Sequence, residues 1–354
     1  MENKNIYVIK LWSNVLLNDL WIDKKIISNV VLWVNYLRKK WDYVIIVSSW
    51  AVASWKRKVW LQTIKWLSEI ESWQVFSSLW QVTLMNIYQD FFDFFWINVS
   101  QALLTRKDFS DIERYNSMKK VLLKSLELWV VPIINENDVL SQEELDFSDN
   151  DELSALIAAM LWAEKLLILS NIDWLYDSFP GWNLIKQVDT IDETIFSMVW
   201  IVKSSYGKWW MESKLKTAKM VMDLWIEMYL ANWKIEWIIE KIWDGENPWT
   251  LFKAKTKKQI DPIRKWLKTW AVPKWKIQVS TIIADLLKSG KRSSLLEIWV
   301  EKIEKHFEKK DVVEVCDEKW NCLWYGIAKI WSYEIDKKSL TSKIVIHTNY
   351  FMGM

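Results

Sequence analysis

The stretch IYVIKLWSNVLL at residues 6–17 sets the pattern that decides the fold. Its first half, 6–11, is rich in β-branched residues and apolar except for Lys10, which is typical of a strand buried on both faces. The run then reaches Trp12, at a place where the chain has to turn. Turns normally take glycine, because glycine alone enters positive φ without steric cost. The stretch therefore predicts a buried strand followed by a turn that holds an unexpectedly large side chain.

The same pattern recurs through roughly the first 235 residues. Apolar strand-like runs lie at 6–11, 43–49, 97–104, 130–135, 165–170 and 226–232, with helix-period segments such as 23–40 and 117–129 between them. Continuous apolar strands separated by helices indicate a parallel sheet covered on both faces. The predicted fold is thus α/β and doubly wound, a mainly parallel sheet sandwiched by helices. Its ligands should collect at the carboxyl ends of the strands.

The composition of the sequence changes near residue 256. A basic stretch with two prolines, TKKQIDPIRKWLKTWAVPKW, is followed by one helix-like segment at 281–291 and by short strand-like pieces such as DVVEVCD and KIVIHTN. We predict three parts: a large α/β domain at 1–255, a linker at 256–274 and a small β-rich domain at 275–354.

Tryptophan and glycine occur in unusual proportions. The chain has 30 Trp and 6 Gly, whereas average usage would give roughly 25 Gly in a chain of this length. Nearly every excess Trp lies between a strand-like run and a helix-like run, where a breaker belongs. TGA and GGA differ by one base, and some bacterial lineages read TGA as glycine. We therefore expect most of these positions to be glycine in the working protein; the alternative is a protein genuinely rich in tryptophan, with poorly formed loops.

Charge, termini and cysteines narrow the class of protein. Lys+Arg total 47 against 45 for Asp+Glu, so charge alone implies neither a nucleic-acid nor a membrane partner. The start of the chain has no apolar signal core, and apolar runs are broken by charges, which predicts a cytoplasmic protein with no membrane anchor. Cys316 and Cys322 form neither a disulfide framework nor a zinc pattern, so we expect free thiols. Both histidines, His306 and His347, lie in the tail, which argues against a hydrolase triad or a histidine metal site.

Three strand ends carry candidate chemistry, each with an ordinary structural alternative. Lys10 ends the first strand beside a turn and could meet a phosphoryl oxygen, or could simply be solvated. Ser49 ends the second strand and could bind a carboxylate or cap the next helix. The run NEND at 135–138 has four consecutive polar residues, whereas a turn requires only one or two. Asp138 in this run could hold the ammonium group of an amino acid.

Two further stretches open helices. Acidic residues around Asp151 could cap the helix that follows or could orient lysines around a phosphoryl group. With glycine at its tryptophans, 207–214 becomes a glycine-rich loop that opens a helix, with Lys208 and Lys214 nearby. It fits neither a Walker nor a dinucleotide pattern, yet exposed amides, a helix N-terminus and cations are typical of phosphate binding.

The order of these motifs is specific. KLWSNVLL, VSSWAVASW, VPIINENDV, DNDELSALIA, LLILSNIDWLY and GKWWMESKLKTA resemble the glutamate 5-kinases, a branch of the amino acid kinase family. The tail, including RSSLLEIWVEKIEKHFEKKDVVEVCDEKWNC, resembles a PUA domain, so the resemblance covers nearly the whole chain. Trp12, Trp50, Trp80, Trp174, Trp209, Trp210 and Trp299 fall where that family has glycine, whereas Trp266 matches a true tryptophan of the family.

The resemblance implies transfer of the γ-phosphate of ATP to the side-chain carboxylate of L-glutamate, the first step of proline biosynthesis. Mg²⁺ would arrive with the nucleotide, held largely by phosphates and not by a dedicated protein site. The resemblance assigns catalysis to Lys10, Asp151 and Lys214, and glutamate binding to Ser49, Asp138 and Asn150. It assigns ATP binding to Lys10, Ser170, Asn171, Lys208, Trp209, Trp210, Met211, Glu212, Ser213 and Lys214. It also implies a homo-oligomer, dimer or tetramer, and feedback inhibition by proline.

Two departures and three rivals stay open at the level of sequence. Asn171 stands where the family usually has aspartate, and Ser148 replaces a usual glycine. Kinases of acetylglutamate, aspartate or uridylate share strand-end lysines and glycine turns. RNA binding through the tail is a second class of function, although the balanced charge argues against it. A kinase-like protein without activity is the third.

Overall fold

The computed structural model describes residues 4–11, 24–48, 68–140, 150–170, 184–199, 207–235, 237–246, 249–254, 267, 273, 275–289, 293–335 and 342–353. These residues form two compact units, one comprising 1–108 and 113–257 and the other comprising 109–112 and 258–354. The division lies close to the predicted domain boundaries, which stay predictions. None of the described helices is long and apolar enough to cross a membrane.

The strands of the first unit form one mainly parallel sheet. They are β1 (Ile6–Leu11), β2 (Tyr43–Ser48), β3 (Val99–Leu104), β4 (Val131–Glu136), β5 (Lys165–Ser170), β6 (Gln187–Val188), β7 (Glu227–Asn232) and β8 (Thr250–Phe252). Their order across the sheet is β3-β4-β2-β1-β5-β7-β8-β6. Only the β7–β8 pair is antiparallel among the described pairings of this sheet. The predicted α/β class with a mainly parallel sheet is confirmed.

Helices connect these strands. They are α1 (Lys24–Lys39), α2 (Glu69–Asp93), α3 (Arg106–Ser110), α4 (Ile112–Glu127), α5 (Asn150–Leu161), α6 (Glu193–Val199), α7 (Gly207–Asp223) and α8 (Ile238–Trp243). The helix α1 buries one stripe of apolar residues with helical spacing, including Ile27, Val30, Val34 and Leu37. These residues share a core cluster with β1, β2 and α2. The sheet therefore gains its stability from apolar burial along its helices.

The central strands explain why the site lies where it does. Strand β1 pairs in parallel with β2 on one side and with β5 on the other. All six residues of β1 are buried, including its polar member Lys10. Since the strands run in the same direction, their carboxyl ends meet at one edge of the sheet. Lys10, Ser48, Asn135 and Ser170 therefore share that edge.

The second unit contains a separate sheet of six strands. They are β9 (Trp275–Val279), β10 (Leu295–Leu296), β11 (Val300–Ile303), β12 (Val312–Cys316), β13 (Cys322–Ala328) and β14 (Ile344–Gly353), in the order β10-β14-β13-β12-β9-β11. In the described part of 275–354, helix α9 (Thr281–Lys288) is capped by Ser280, whose Oγ accepts a hydrogen bond from the backbone N–H of Ile283. The core of this second unit is apolar and includes Phe307, Val313 and Val345. The predicted small β-rich C-terminal unit is consistent with this sheet.

The expectation of free thiols is wrong. Cys316 and Cys322 form a disulfide, and the described residues contain no free cysteine. The two residues are direct partners in the antiparallel register of β12 and β13. Their proximity follows from the hairpin that joins these strands, which spacing in the sequence alone did not disclose.

Candidate active site

The centre of the site is a buried carboxylate held between two lysines. Asp151 lies in the first turn of α5 and is fully buried. The Nζ of Lys10 lies 2.5 Å from Asp151 Oδ1, and the Nζ of Lys214 donates a hydrogen bond to Asp151 Oδ2. Lys10 is 1% exposed and Lys214 is 0% exposed. Three side chains from separate parts of the sequence thus meet in a place closed to water.

Local structure explains how the three side chains converge. Lys10 stands next to last in β1, the strand paired with β2 and β5. Helix α5 packs against β1 and also against α7, which contributes Lys214. Every residue of α5 from Leu153 to Leu161 is buried, so this helix is fixed in position along its length. The sheet and two helices therefore position the lysines on opposite oxygens of one carboxylate.

The charge balance of this cluster is positive. Two ammonium groups face one carboxylate, which leaves one formal positive charge among the three side chains. Buried ammonium groups form strong, charge-assisted hydrogen bonds to anionic oxygens. The arrangement therefore favours an anion beside the lysines. A phosphoryl group carries such charge and accepts several hydrogen bonds.

A second cluster lies beside it, at the ends of β2 and β4. The Nδ2 of Asn150 lies 3.0 Å from the Oδ1 of Asn135 and 3.3 Å from the backbone oxygen of Ser48. These bonds fix the N-terminus of α5 to two strand ends. The Oδ1 of Asn150 is buried and accepts no hydrogen bond from the described part of the chain. This oxygen is an acceptor available to a ligand.

Two further contacts support this edge of the site, and no sequence motif predicted either of them. The hydroxyls of Ser48 and Tyr88 are 3.3 Å apart, and burial raises the pKa of Tyr88 well above its usual value. Tyr88 belongs to α2, so it links this helix to the end of β2. Arg106 in α3 pairs with Glu152, the residue after the central aspartate, at 2.6 Å. Both depend on contacts between elements that are distant in sequence.

The structure brings together some of the predicted site residues and leaves others undescribed. Lys10, Asp151 and Lys214 meet, with Asn150 next to them. Ser170 is buried at the end of β5, and its backbone oxygen accepts a hydrogen bond at 3.0 Å from the N–H of Trp233. Asp138 is half-buried just beyond β4. Ser49 and Asn171 lie outside the described residues, as does the acidic stretch before Asn150.

The predicted phosphate-binding loop has a different form. Residues 207–214 belong to α7, which begins at Gly207, so they form the first turns of a helix. The side chains of Lys208, Trp209, Trp210, Met211 and Glu212 lie outside the described atoms. Ser213 is half-buried and Lys214 is buried. Among these residues, the structure thus places Lys214 directly in the cluster.

The carboxylates of the described residues do not form a cage for a metal ion at this site. The group of possible ligands found among those residues is Glu314, Cys316 and Cys322, in the second unit, where the two cysteines are bonded to each other. Asp151 is engaged by two lysines.

Comparison with known proteins agrees with this architecture. The amino acid kinase family model matches residues 6–232. The chain is 33% identical over 351 residues to a glutamate 5-kinase of Bacteroides thetaiotaomicron, covering 97% of this chain and 96% of that protein. It is 32% identical over 343 residues to a glutamate 5-kinase of Pelagibacter ubique, covering 95% and 91% of the two chains.

A solved structure shares the fold. Carbamate kinase from Giardia lamblia bound to AMP-PNP superposes with a TM-score of 0.53 at 13% identity, covering 72% of this chain and all of that one. At this identity the likeness concerns the fold alone. The family match and the relatives over nearly the full length lead to one conclusion: the chain belongs to the amino acid kinase family and, within it, to the glutamate 5-kinases.

Proposed function

We propose that the protein transfers the γ-phosphoryl group of ATP to the side-chain carboxylate of L-glutamate, giving L-glutamyl 5-phosphate, the first step of proline biosynthesis. The observation that carries the proposal is the buried cluster in which Asp151 holds Lys10 and Lys214 side by side. The full-length similarity to glutamate 5-kinases supports the choice of glutamate as acceptor.

The reaction brings two anions together, so its main requirement is neutralisation of charge. A carboxylate oxygen of glutamate forms a new bond to the γ-phosphorus as the bond from that phosphorus to the bridging oxygen of ADP breaks. Charge on the transferring group can be stabilised by cations already in place, which need not reorganise during the step. In our proposal Lys10 and Lys214 act in this way, and Asp151 holds both ammonium groups in position.

The absence of histidine from the first 305 residues is compatible with this chemistry. A glutamate side chain has a pKa near 4.3 and is already ionised at neutral pH. The nucleophile therefore needs no general base to remove a proton. Positioning and electrostatic stabilisation are sufficient for the step, and lysines with backbone amides can supply both.

The polar cluster at the ends of β2 and β4 would hold the amino acid. The buried Oδ1 of Asn150 is an acceptor for an ammonium hydrogen, and Asp138, half-buried beyond β4, can neutralise the same group. We assign Ser49 to the glutamate carboxylate from the resemblance alone. Ser170, Asn171 and the residues from Lys208 to Lys214 are assigned to ATP on the same ground. Mg²⁺ would reach the site bound to the nucleotide phosphates and would neutralise part of their charge.

Several finer expectations remain predictions. They are a PUA fold for the second unit, a dimer or tetramer, inhibition by proline, a cytoplasmic location and RNA binding by the tail. The balanced net charge of +2 argues against the last of these.

The proposal is tested by trapping the acyl phosphate with hydroxylamine while glutamate, N-acetylglutamate and aspartate are offered in parallel with ATP. The chain as printed and a version with glycine at the tryptophans predicted to lie in turns should both be assayed. Hydroxamate formed with glutamate alone supports the proposal. In the active version, Asn150→Ala should raise KM for glutamate about tenfold or more, since it removes a buried partner of the ammonium group. Equal use of aspartate, or no hydroxamate from either folded version, would contradict the proposal.

A further inference from the structure

Seven tryptophans adopt a backbone conformation that favours glycine. Among the described residues, eight that are not glycine have positive φ, and seven of them are tryptophan: Trp41, Trp96, Trp129, Trp162, Trp225, Trp237 and Trp320, with φ between 55° and 66°. The eighth is Lys310. A Cβ atom crowds the following carbonyl oxygen in this left-handed region, so residues other than glycine enter it at a cost. Asparagine and aspartate are the usual exceptions, whereas tryptophan is not.

Five of these residues occupy one recurring position. Each lies one to three residues after the end of a helix, in the short connection that leads to the next parallel strand: Trp41, Trp96, Trp129, Trp162 and Trp225. The N–H of the residue that follows donates back to a carbonyl of the last helical turn in every case: Asp42 to Leu37, Ile97 to Phe92, Val130 to Ser125, Ala163 to Ala158 and Ile226 to Val221, at 2.9–3.2 Å. This is the Schellman ending of a helix, in which the left-handed residue is usually glycine.

One helix of the same chain ends with glycine at this position and can be compared with the other five. Helix α8 ends in the same way, with the N–H of Glu246 donating to the oxygen of Lys241 at 2.9 Å. Its left-handed residue is Gly245, with φ of 82°. The same ending thus takes glycine once and tryptophan five times.

The hairpin between β12 and β13 also has a tryptophan, Trp320, at a position that favours glycine. The N–H of Trp320 donates to the oxygen of Asp317 at 2.9 Å, and the N–H of Asp317 donates to the oxygen of Asn321 at 3.0 Å. The register of the two strands shifts beside this turn. A tight turn followed by a left-handed residue and a bulge is a common hairpin ending, and glycine is its usual left-handed residue.

Packing of the indole rings does not account for the conformation that the seven positions share. Trp96 is 94% exposed, and Trp41 and Trp237 are also mostly exposed. Trp129 does contact other side chains, namely Trp41, Tyr43 and the ammonium group of Lys4, but it has the same left-handed backbone as the exposed tryptophans. The summed strain of seven left-handed tryptophans is comparable with the whole net stability of an ordinary domain. The backbone thus disfavours a side chain at all seven positions, and the surroundings offer little contact to the three exposed rings.

We propose that these seven positions hold glycine in the protein as its own cell makes it, because that cell decodes UGA as glycine. The proposal is independent of the function proposed above. It concerns the seven positions where the backbone carries the argument. Trp80 and Trp299 have negative φ in the described structure, and Trp12, Trp50 and Trp174 lie outside it, so glycine at those five positions stays a prediction from sequence.

A matched pair of single substitutions tests the physical part of the proposal. Trp96 and Phe94 are both exposed aromatic residues at the end of α2, but φ at Phe94 is −59°. Trp96→Gly should raise the thermal midpoint by about 2–4 °C, and Phe94→Gly should lower it, because glycine there only adds freedom to the unfolded chain. The opposite order, or equal losses in both, would overturn the argument from backbone strain.

The decisive test is the mass of the peptides that span these seven positions in protein purified from its native cells. We expect each peptide to be lighter by the difference between a tryptophan and a glycine residue. Peptides with tryptophan at these positions would overturn the proposal, whatever the stability measurements show. A variant with all seven Trp→Gly changes should also be more stable than the chain as printed, by roughly 10 °C or more at the midpoint. A variant that is no more stable would count against the proposal.

Discussion

Lys214 has no access to water and shares its carboxylate partner with Lys10, so its charge is directed at whatever anion binds beside it. We expect Lys214→Met to lower kcat by about 10²–10³, as removal of one preorganised donor to a transition state commonly does. KM for glutamate should change little, since the lysine contacts the transferring group. Steady-state kinetics would check this, with Lys124→Met as the control, because Lys124 is exposed on α4 and pairs with Glu127. A Lys214→Met enzyme with the parent's kcat would remove this residue from the mechanism.

Asp42 provides a test of pH dependence at the same scale. It is 5% exposed and accepts a hydrogen bond from the backbone N–H of Asn5 at 3.2 Å. Burial raises its pKa above the ordinary value, although that hydrogen bond partly opposes the shift. Because the pKa of Asp42 is higher in the folded state than in the unfolded state, protonation of its carboxyl group raises the free energy of unfolding. This contribution is fully present at a pH below the unfolded-state pKa. It is lost as pH rises through the folded pKa.

Asp42→Asn should therefore be more stable than the parent at pH 7, since the amide accepts the same bond without a buried charge. The advantage should shrink as pH falls below the unfolded pKa of aspartate, near 3.9. Thermal midpoints measured for both proteins from pH 3 to pH 7 would check this. A constant difference across that range would show that Asp42 does not titrate as its burial implies.

Helix α2 begins with a reciprocal pair of hydrogen bonds. The Oγ of Ser68 accepts from the N–H of Glu71 at 3.2 Å, and the carboxylate of Glu71 accepts from the N–H of Ser68 at 2.8 Å. Ser68→Ala leaves a donor of the first turn without this partner and should cost about 1 kcal/mol. Denaturant unfolding would measure the loss. Ser78→Ala is the control, because its hydroxyl only donates within the same helix to the Val75 oxygen and should cost much less.

The sequence predicted most elements because their apolar patterns are local. Strands β1 and β5 match the predicted 6–11 and 165–170, since each contains an unbroken run of four apolar residues next to a polar one. The helical form of 207–210 was missed, because a run with glycine and adjacent tryptophans, taken as glycines, is typical of a loop. The left-handed conformation of Trp41 and Trp129 agrees with the prediction of glycine-type turns between helix and strand. The pairing of Cys316 with Cys322 was missed because it depends on the register of a hairpin.

The site itself depends on contacts that a linear pattern does not contain. Lys10, Asp151 and Lys214 were named from motifs and from the family resemblance, but their meeting requires β1 to lie between β2 and β5. It also requires α7 to pack on α5. Asn150 was assigned to glutamate, whereas its bonds to Asn135 and Ser48 were unforeseen. No sequence motif predicted a role for Tyr88 or Arg106, because each contacts the site through residues that are far away in the sequence.

At the scale of the whole molecule, charge allows a prediction about RNA. The net charge is +2, with 47 basic and 45 acidic residues. Phosphate contacts require clustered cations and weaken steeply with salt. We expect any binding of structured RNA by the full chain to disappear at about 150 mM salt. Gel shifts across a salt series would check this, and a complex that persists at that salt would favour the RNA-binding alternative.

The central claim concerns the whole reaction, and one isotope measurement tests it most directly. Glutamate labelled with ¹⁸O in both side-chain oxygens is incubated with ATP, and the acyl phosphate is allowed to cyclise, as its amino group attacks C5 and expels phosphate. If a glutamate oxygen attacks the γ-phosphorus, each phosphate released carries one ¹⁸O atom. If the protein merely hydrolyses ATP, the phosphate takes its oxygen from water. Our account predicts labelled phosphate that depends on Lys214, whereas unlabelled phosphate would contradict it.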